Sequence, residues 1–363
     1  MKTVCFLLTS LESGGAENYL LRFIKHSEGS FQSIVICKSG KKGVLEHDYI
    51  KANAIIETIP AGYLNVASWI KAYKIFKNYN TSAVCDFTGN FAGVFLVLAK
   101  LTNVSKRISF YRRSSHAFRP TLVNNLYDKW VNRLVAKHAT NILANSMHGL
   151  NFFHPKRDLK DKRFGVIFNG LNESEFIAKI SKSDIREELN IPLDAFVVGH
   201  TGRLNVAKNH PTMLKIAERL VEKYDDIYFL FCGNETERLM QQTTSEKLKK
   251  KLILLGYRND VNRILNAIDL YMFPSITEGQ PNALIEAMIS GLPYVSSDIE
   301  SIKEVVPNTH TFAMFSPYDV DGFVETIEKT YQNSDYLDEF RSKSYAVSQF
   351  NAAINFNKFK QLL

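Results

Sequence analysis

The chain has 363 residues, of which 45% are hydrophobic and 23% charged. That length exceeds one ordinary core and predicts two domains, while the composition excludes a disordered, collagenous or disulfide-framed chain. No run of eighteen apolar residues marks a spanning helix; the short run at residues 3–9 meets Glu12 and a glycine pair, and reads as a core strand rather than a signal peptide.

The net charge of +8 is unevenly placed: residues 1–180 hold 25 Lys and Arg against 12 Asp and Glu, while the rest hold 20 against 25. A basic first half suggests an anionic partner such as a membrane surface, a phosphorylated lipid carrier or nucleic acid; the plain alternative is a solubilising surface. No nucleic-acid-binding module appears and the basic residues are dispersed, so nucleic acid is set aside. Cys5, Cys37, Cys85 and Cys232 are widely spaced, without a CxxC or a Cys/His cluster. They read as reduced, buried strand residues of a cytoplasmic protein.

Strand, loop and helix alternate along the chain. Apolar strands are predicted at residues 3–9, 33–37, 54–59, 83–86, 107–111, 141–145 and 165–168, with helices at 19–26, 65–78, 94–102, 123–138 and 147–153. Residues 170–195 are polar and read as the linker. The alternation then restarts, with strands at 196–201, 227–232, 252–255 and 270–273 and helices at 211–223 and 261–266. Two such series predict two α/β domains with parallel sheets, whose ligands bind at the carboxyl ends of the strands. The tail, residues 338–363, has a helical pattern with Tyr345, Phe350, Phe356 and Phe359, and can cross back onto the first domain.

Three loops carry chemistry. Gly14-Gly15-Ala16-Glu17 follows the first strand and opens a helix, so its backbone can approach a phosphate; it lacks the GxGxxG dinucleotide pattern. Arg203 and Lys208 share a loop with Gly202 and Asn205, and two cations so placed can grip a diphosphate. In TEGQPNALIEAMISGLPYVSS, residues 277–297, Pro281 can start a helix that Gly291 stops. Glu278 precedes that helix; Asn282 and Glu286 share one of its faces. A helix tip beside one carboxylate, with a second carboxylate a turn deeper, suits a diphosphate joined to a ribose and a sugar. The alternative is an ordinary crossover with two solvated glutamates.

Five segments then carry a family resemblance: GGAE (14–17), NSMHGL (145–150), VIFNGLNESEF (166–176), GRLNVAKN (202–209) and EGQPNALIEAMISGLP (278–293). In this order, over almost the whole chain, they resemble the retaining GT-B glycosyltransferases of family four. They look most like those that build bacterial capsule and O-antigen (lipopolysaccharide) repeat units. The two glutamates eight apart, taken with the Arg…Lys loop, are the specific part.

The resemblance implies an α/β fold of two Rossmann-like domains whose parallel sheets face a central cleft. Residues 1–175 would bind the acceptor, residues 176–344 the donor, and a helix at about 345–363 would pack back on the first domain. Arg203 and Lys208, with Gly202 beside them, would bind the donor diphosphate, and Glu286 the ribose hydroxyls. Glu278 and the backbone of Gly279, Gln280, Pro281, Asn282 and Ala283 would contact the donor sugar and phosphates. Gly14 and Gly15 would approach from the first domain, and the base would sit near Gly256, Tyr257 and Arg258. The implied enzyme is a hexosyltransferase that needs no metal and no cofactor, the two cations and the helix dipole standing in for Mg²⁺. Its partners would be a UDP-sugar and a glycan acceptor on a lipid diphosphate carrier. It would be cytoplasmic, with peripheral attachment to the inner face of the cell membrane as a further expectation.

One departure matters. Relatives carry a histidine at the end of the strand corresponding to residues 107–111; here Arg112-Arg113 follows, and the nearest histidine is His116. Arg112 is preferred for that catalytic position, with His116 as the alternative. Asp86 and Asn90 would face acceptor hydroxyls or cap a helix, and Phe110, Tyr111, Phe118 and Trp130 would dip into a membrane interface or belong to the core. Two other functions remain open: a nucleotide-sugar epimerase of the same fold, which needs no acceptor, and a non-catalytic nucleotide-sugar or glycan-binding protein, which needs neither Arg203 nor Lys208.

Overall fold

The computed structural model describes residues 1–12, 14–62, 65–114, 121–177, 180–333 and 341–363. The chain divides into two compact units, Met1–Gly170 with Ala352–Leu363, and Leu171–Asn351.

The first unit is built on a parallel sheet of β1 (Thr3–Leu8), β2 (Gln32–Cys37), β3 (Ile55–Thr58), β4 (Ala83–Asp86), β5 (Lys106–Tyr111), β6 (Asn141–Ala144) and β7 (Phe164–Val166), in the order β3-β2-β1-β4-β5-β6-β7. β1 is buried over five of its six residues because helices cover both faces, which is why it reads as an unbroken apolar run. The strand order reverses at β1, between β2 and β4, so the loops after β1 and β4 flank the switch point where ligands of such sheets bind. The helix Ala352–Lys360 packs on the helix Gly15–His26, with Phe359 4.6 Å from Phe23 and Phe356 5.4 Å from Tyr19 between ring centroids. Gly170 makes this approach feasible, since a Cβ there would lie 2.7 Å from Ala352 Cα.

The second unit carries β8 (Phe196–Thr201), β9 (Ile227–Cys232), β10 (Leu252–Leu254), β11 (Leu270–Phe273), β12 (Tyr294–Ser297) and β13 (Met314–Phe315), all parallel, in the order β10-β9-β8-β11-β12-β13. Its switch point lies between β8 and β11, which pair through Val198 with Leu270 and Gly199 with Tyr271.

Several sequence readings change. The polar stretch 170–195 is not a free linker: Ser181 caps the helix Lys182–Glu188, and Arg186 is buried as a staple. Its guanidinium donates to Ala267 O, Leu193 O and Ala195 O and pairs with Asp269 at 2.6 Å, so charge here marks integration into the second unit. The tail is two helices, Lys343–Gln349 and Ala352–Lys360, rather than one. The break comes where Phe350 O accepts from Leu171 N, at the passage between the units, so Phe350 serves the second unit while Phe356 and Phe359 serve the first. Residues 338–340 lie outside the described residues. Phe110 and Tyr111 are fully buried core, not interfacial; Phe118 lies outside the described residues, and Trp130 is 39% exposed. The four cysteines are free and buried.

Two buried imidazoles give the fold an acid limit. His154 donates from Nε2 to Tyr111 Oη at 3.0 Å, because the phenol spends its own proton on Asn132 Oδ1. Burial pushes the pKa of His154 down to about 4, helped by Arg157 and Arg163; His210 is held at about 4 by burial and Lys208. Both folded-state values are depressed below the ordinary 6.5, so the unfolded chain takes up protons first as the pH falls. The melting temperature is therefore expected to be flat above pH ~6.5 with respect to these groups and to fall steadily toward pH ~4. Each site would forfeit up to ~3 kcal/mol in that window. An unchanged melting temperature between those limits would contradict this reading.

Candidate active site

Because β8 and β11 are neighbours, the loops that follow them open side by side. Ile276 N donates to Ala207 O at 2.8 Å, and Asn209, in a left-handed conformation, donates from Nδ2 to Pro274 O and Pro317 O. Asn205 caps the single turn Val206–Lys208 by accepting from Lys208 N. These bonds fix the root of Lys208. Its ammonium donates to Glu278 Oε1 at 2.6 Å and lies 4.8 Å from the centre of the Phe273 ring. The two side chains are 15% and 12% exposed, so the pair is largely desolvated yet reachable from solvent. Arg203 is exposed and forms no ion pair among the described residues.

The helix Asn282–Ile289 starts from Pro281 and buries Leu284, Ile285, Ala287, Met288 and Ile289, which holds its axis rigidly against the sheet. Asn282 N bonds Gln280 O, and Leu284 N and Ile285 N bond Pro281 O. The N–H groups of Gly279 and Ala283 have no backbone partner among the described residues, so the tip still offers donors beside Glu278. Glu286 is half-buried one turn inside. The phenol of Tyr271, bonded to Thr201, has its pKa raised first by burial and then by the charges of Glu286 and Glu278. Both carboxylates therefore lie close enough to act on one group at the end of β8.

A row of three glycines forms the floor next to Arg203. Gly202 N donates to Cys232 O and Gly233 N to Gly256 O, at 2.8 and 2.7 Å. A Cβ on Gly233 would strike the Gly202 carbonyl, and one on Gly256, whose φ is +61°, would strike the Glu237 carboxylate. Of the residues expected near a base, Tyr257 is exposed while the Arg258 guanidinium is engaged by Asp260 at 2.7 and 2.8 Å. What remains open there is the Tyr257 ring, since Gly256 is buried, with its N–H donating to Thr236 Oγ1 and its carbonyl accepting from Gly233 N. Beneath the site, His200 is fully buried and donates from Nδ1 to Met272 O, with its Nε2 turned toward Gly202 and the Lys208 stem.

The first unit holds a separate cavity of about 630 Å³ at the ends of its own strands. Gly14 precedes the helix Gly15–His26, and its missing side chain makes room for the Glu17 carboxylate. That carboxylate sits on the N–H groups of Ala16 and Glu17, so the chain's own acid occupies this helix tip; burial nevertheless holds its pKa above the usual range. Arg112 lies with its guanidinium 3.9 Å from the Tyr19 ring centre, its pKa lowered to about 10 by burial. Its Nε and Nη1 are buried with no hydrogen-bond partner among the described residues, and the residue lines this cavity. His116 lies outside the described residues.

Asp86 and Asn90 do not offer themselves to a ligand. Asp86 is fully buried, paired with Lys38 Nζ at 2.9 Å and accepting from Thr88 N and Oγ1. Asn90 bridges Arg113 and Asp128. Lys38 was missed by motif reading; its signal was a charged residue directly after an apolar strand, at the register where Asp86 ends β4.

No group of three or more His, Cys, Asp or Glu side chains suited to a metal occurs among the described residues. The triplet Asp319-Val320-Asp321 is structural, with Asp319 capping its helix through Gly322 N and Asp321 pairing with Arg219.

Residues 181–347 match the family model described as "Glycosyl transferases group 1". Among curated relatives, the Escherichia coli UDP-Gal:alpha-D-GlcNAc-diphosphoundecaprenol alpha-1,3-galactosyltransferase is 26% identical, over 98% of this chain and 94% of that enzyme. The Staphylococcus aureus capsular polysaccharide biosynthesis glycosyltransferase CapH is 25% identical over 84% of each. Among solved structures, Anabaena HepE in complex with UDP and glucose superimposes with a TM-score of 0.84, at 18% identity and 99% coverage of both chains. WaaG, a glycosyltransferase involved in lipopolysaccharide biosynthesis, gives 0.76 at 14% identity and 99% coverage. The fold is therefore GT-B, two parallel-sheet Rossmann-like domains, and it is the second unit that carries the match to the group 1 glycosyltransferase model.

Gly233→Ala tests whether the glycine floor shapes this site. The added methyl must displace the Gly202–Arg203 backbone, so the variant should melt lower and lose nucleotide-sugar affinity together. A variant with native affinity would show that the close approach is not needed.

Proposed function

We propose that the chain is a retaining, metal-independent glycosyltransferase of family four. It would move a hexose from a UDP-sugar to a hydroxyl of a glycan carried on a lipid diphosphate, working at the cytoplasmic face of the membrane. The observation that carries this is the grouping of Lys208, Arg203, Glu278 and the open N–H groups of the helix tip at one switch point. Support for the donor and carrier comes from the E. coli relative, whose name specifies UDP-Gal and an undecaprenol diphosphate, and from a structural neighbour with bound UDP.

In this reading the donor diphosphate lies across the helix tip, with Arg203 on its exposed side and Lys208 beneath. Glu286, one turn deeper, accepts protons from the ribose hydroxyls, and Glu278 meets the sugar once Lys208 turns to the phosphates. The acceptor is assigned to the first unit, whose cavity offers Arg112. The acceptor oxygen forms its bond to the anomeric carbon on the face the diphosphate leaves. The electron pair of the broken bond departs on the phosphate oxygen, and that oxygen takes the acceptor proton. The two cations and the tip N–H groups stabilise the charge as it builds, the part Mg²⁺ would otherwise supply.

Two variants test the assignment. Lys208→Ala should lower kcat by roughly a hundredfold, the scale of losing one preorganised donor to a developing oxyanion. Glu286→Ala should instead raise the KM for the UDP-sugar. Transfer at the native rate by both variants would overturn the site. Product analysis by NMR should show the anomeric configuration of the donor preserved, and release of epimerised donor without an acceptor would exclude a transferase.

A further inference from the structure

His200 lies beneath the candidate donor site, and the reaction described above gives it no part. It sits next to the end of β8, is fully buried, and its ring meets those of His210, Tyr271 and Phe273. Its Nδ1 is 3.0 Å from Met272 O. A carbonyl can only accept, so Nδ1 carries the proton and Nε2 keeps a lone pair. Burial, with help from His210 and Lys208, holds the pKa well below the ordinary 6.5, and the ring stays neutral.

The Nε2 atom is buried and has no hydrogen-bond partner among the described residues. An acceptor left in that state costs stability and calls for a reason. The edge contact with His210, 5.4 Å between ring centroids, does not supply one, because neither nitrogen of His210 bonds to it. Gly202 leaves the space above Nε2 open. A Cβ there would lie 2.9 Å from His200 Nε2, 3.2 Å from Lys208 Cε and 3.3 Å from Lys208 Cδ. The lone pair and the end of the lysine stem thus border one gap. The Lys208 ammonium has three N–H groups, and its hydrogen bond among the described residues is the one to Glu278.

We infer that His200 is a positioning residue for the donor diphosphate: its Nε2 accepts a hydrogen bond from the Lys208 ammonium when that group turns from Glu278 to the phosphates. One N–H held from below aims the others at the phosphate oxygens. The inference rests on the proposed donor site and adds to it a residue that touches no substrate. It also gives Gly202 a second reason, since any side chain there would come between the imidazole and the lysine. A histidine suits the place because its two nitrogens do separate work: Nδ1 ties β8 to β11, and Nε2 serves Lys208.

Calorimetric titration with UDP, read beside the melting temperature, separates the two nitrogens. His200→Asn keeps a donor near the place of Nδ1 and has no acceptor at that of Nε2. His200→Gln brings an amide oxygen near the place of Nε2 and gives up the bond to Met272. The Asn variant should melt close to the native protein yet bind UDP at least about tenfold more weakly, the scale of one hydrogen bond to a charged group. The Gln variant should melt lower yet bind UDP within about threefold of native affinity. In a Lys208→Met background, His200→Asn should weaken binding no further, because residues that act through one another are not additive. Native UDP affinity in His200→Asn would overturn the inference. So would affinities that simply follow the melting temperatures, or a loss in His200→Asn that persists in full without Lys208. A native protein that does not bind UDP would overturn the donor site itself, and the inference with it.

Discussion

The ion pair between Lys208 and Glu278 is the contact on which the candidate site turns. It joins two loops that are 70 residues apart in sequence, and it can form only because β8 and β11 are neighbours at the switch point. Each partner answers a need of the other. A lysine so little exposed needs an anion, and a carboxylate beside a helix tip needs either a cation or a ligand's hydroxyls. Here the two are paired with one another. In the proposed reaction a donor diphosphate would offer Lys208 a stronger anion, and the exchange would let Glu278 turn to the sugar.

The surroundings make that exchange cheap. Lys208 is rooted by Asn205 and by the bond from Ile276 to Ala207, so only the end of its side chain has to turn. The helix beyond Pro281 is held by its buried inner face, so its open N–H groups need no rearrangement to meet a phosphate. Preorganised donors of this kind do more for a transition state than flexible ones, because their orientation is fixed by folding and not during the reaction. The first unit treats its own helix tip differently: Glu17 already sits on it, and Arg112 nearby has two buried donors with no partner among the described residues. A phosphate approaching Gly15 would have to contend with that carboxylate.

Much of this was legible in the sequence, for stated reasons. Buried parallel strands announce themselves as apolar runs, and Pro281 and Gly291 bracket the helix between them. Both motif loops could therefore be placed at strand ends. The loops' contact was not legible, because strand order is a long-range property that no local pattern records. The Lys38–Asp86 pair and the Arg186 staple were hidden for a related reason: a charged residue reads as surface until its buried partner is known. The tail misled because the spacing of Tyr345, Phe350, Phe356 and Phe359 suits one helix, whereas the chain changes units between Phe350 and Ala352. Among the aromatics, Trp130 could be told from Phe110 and Tyr111 only by their burial.

The claim at the centre is that Glu278 occupies Lys208 until a diphosphate displaces it. Calorimetric titration with UDP, which carries no sugar for Glu278 to hold, isolates that exchange. Glu278→Gln should bind UDP at least as tightly as the native protein, since a competing charge is gone, while Lys208→Met should bind it distinctly more weakly. Equal loss of UDP affinity in both variants would contradict the account, because it would make Glu278 part of the diphosphate site instead of its competitor.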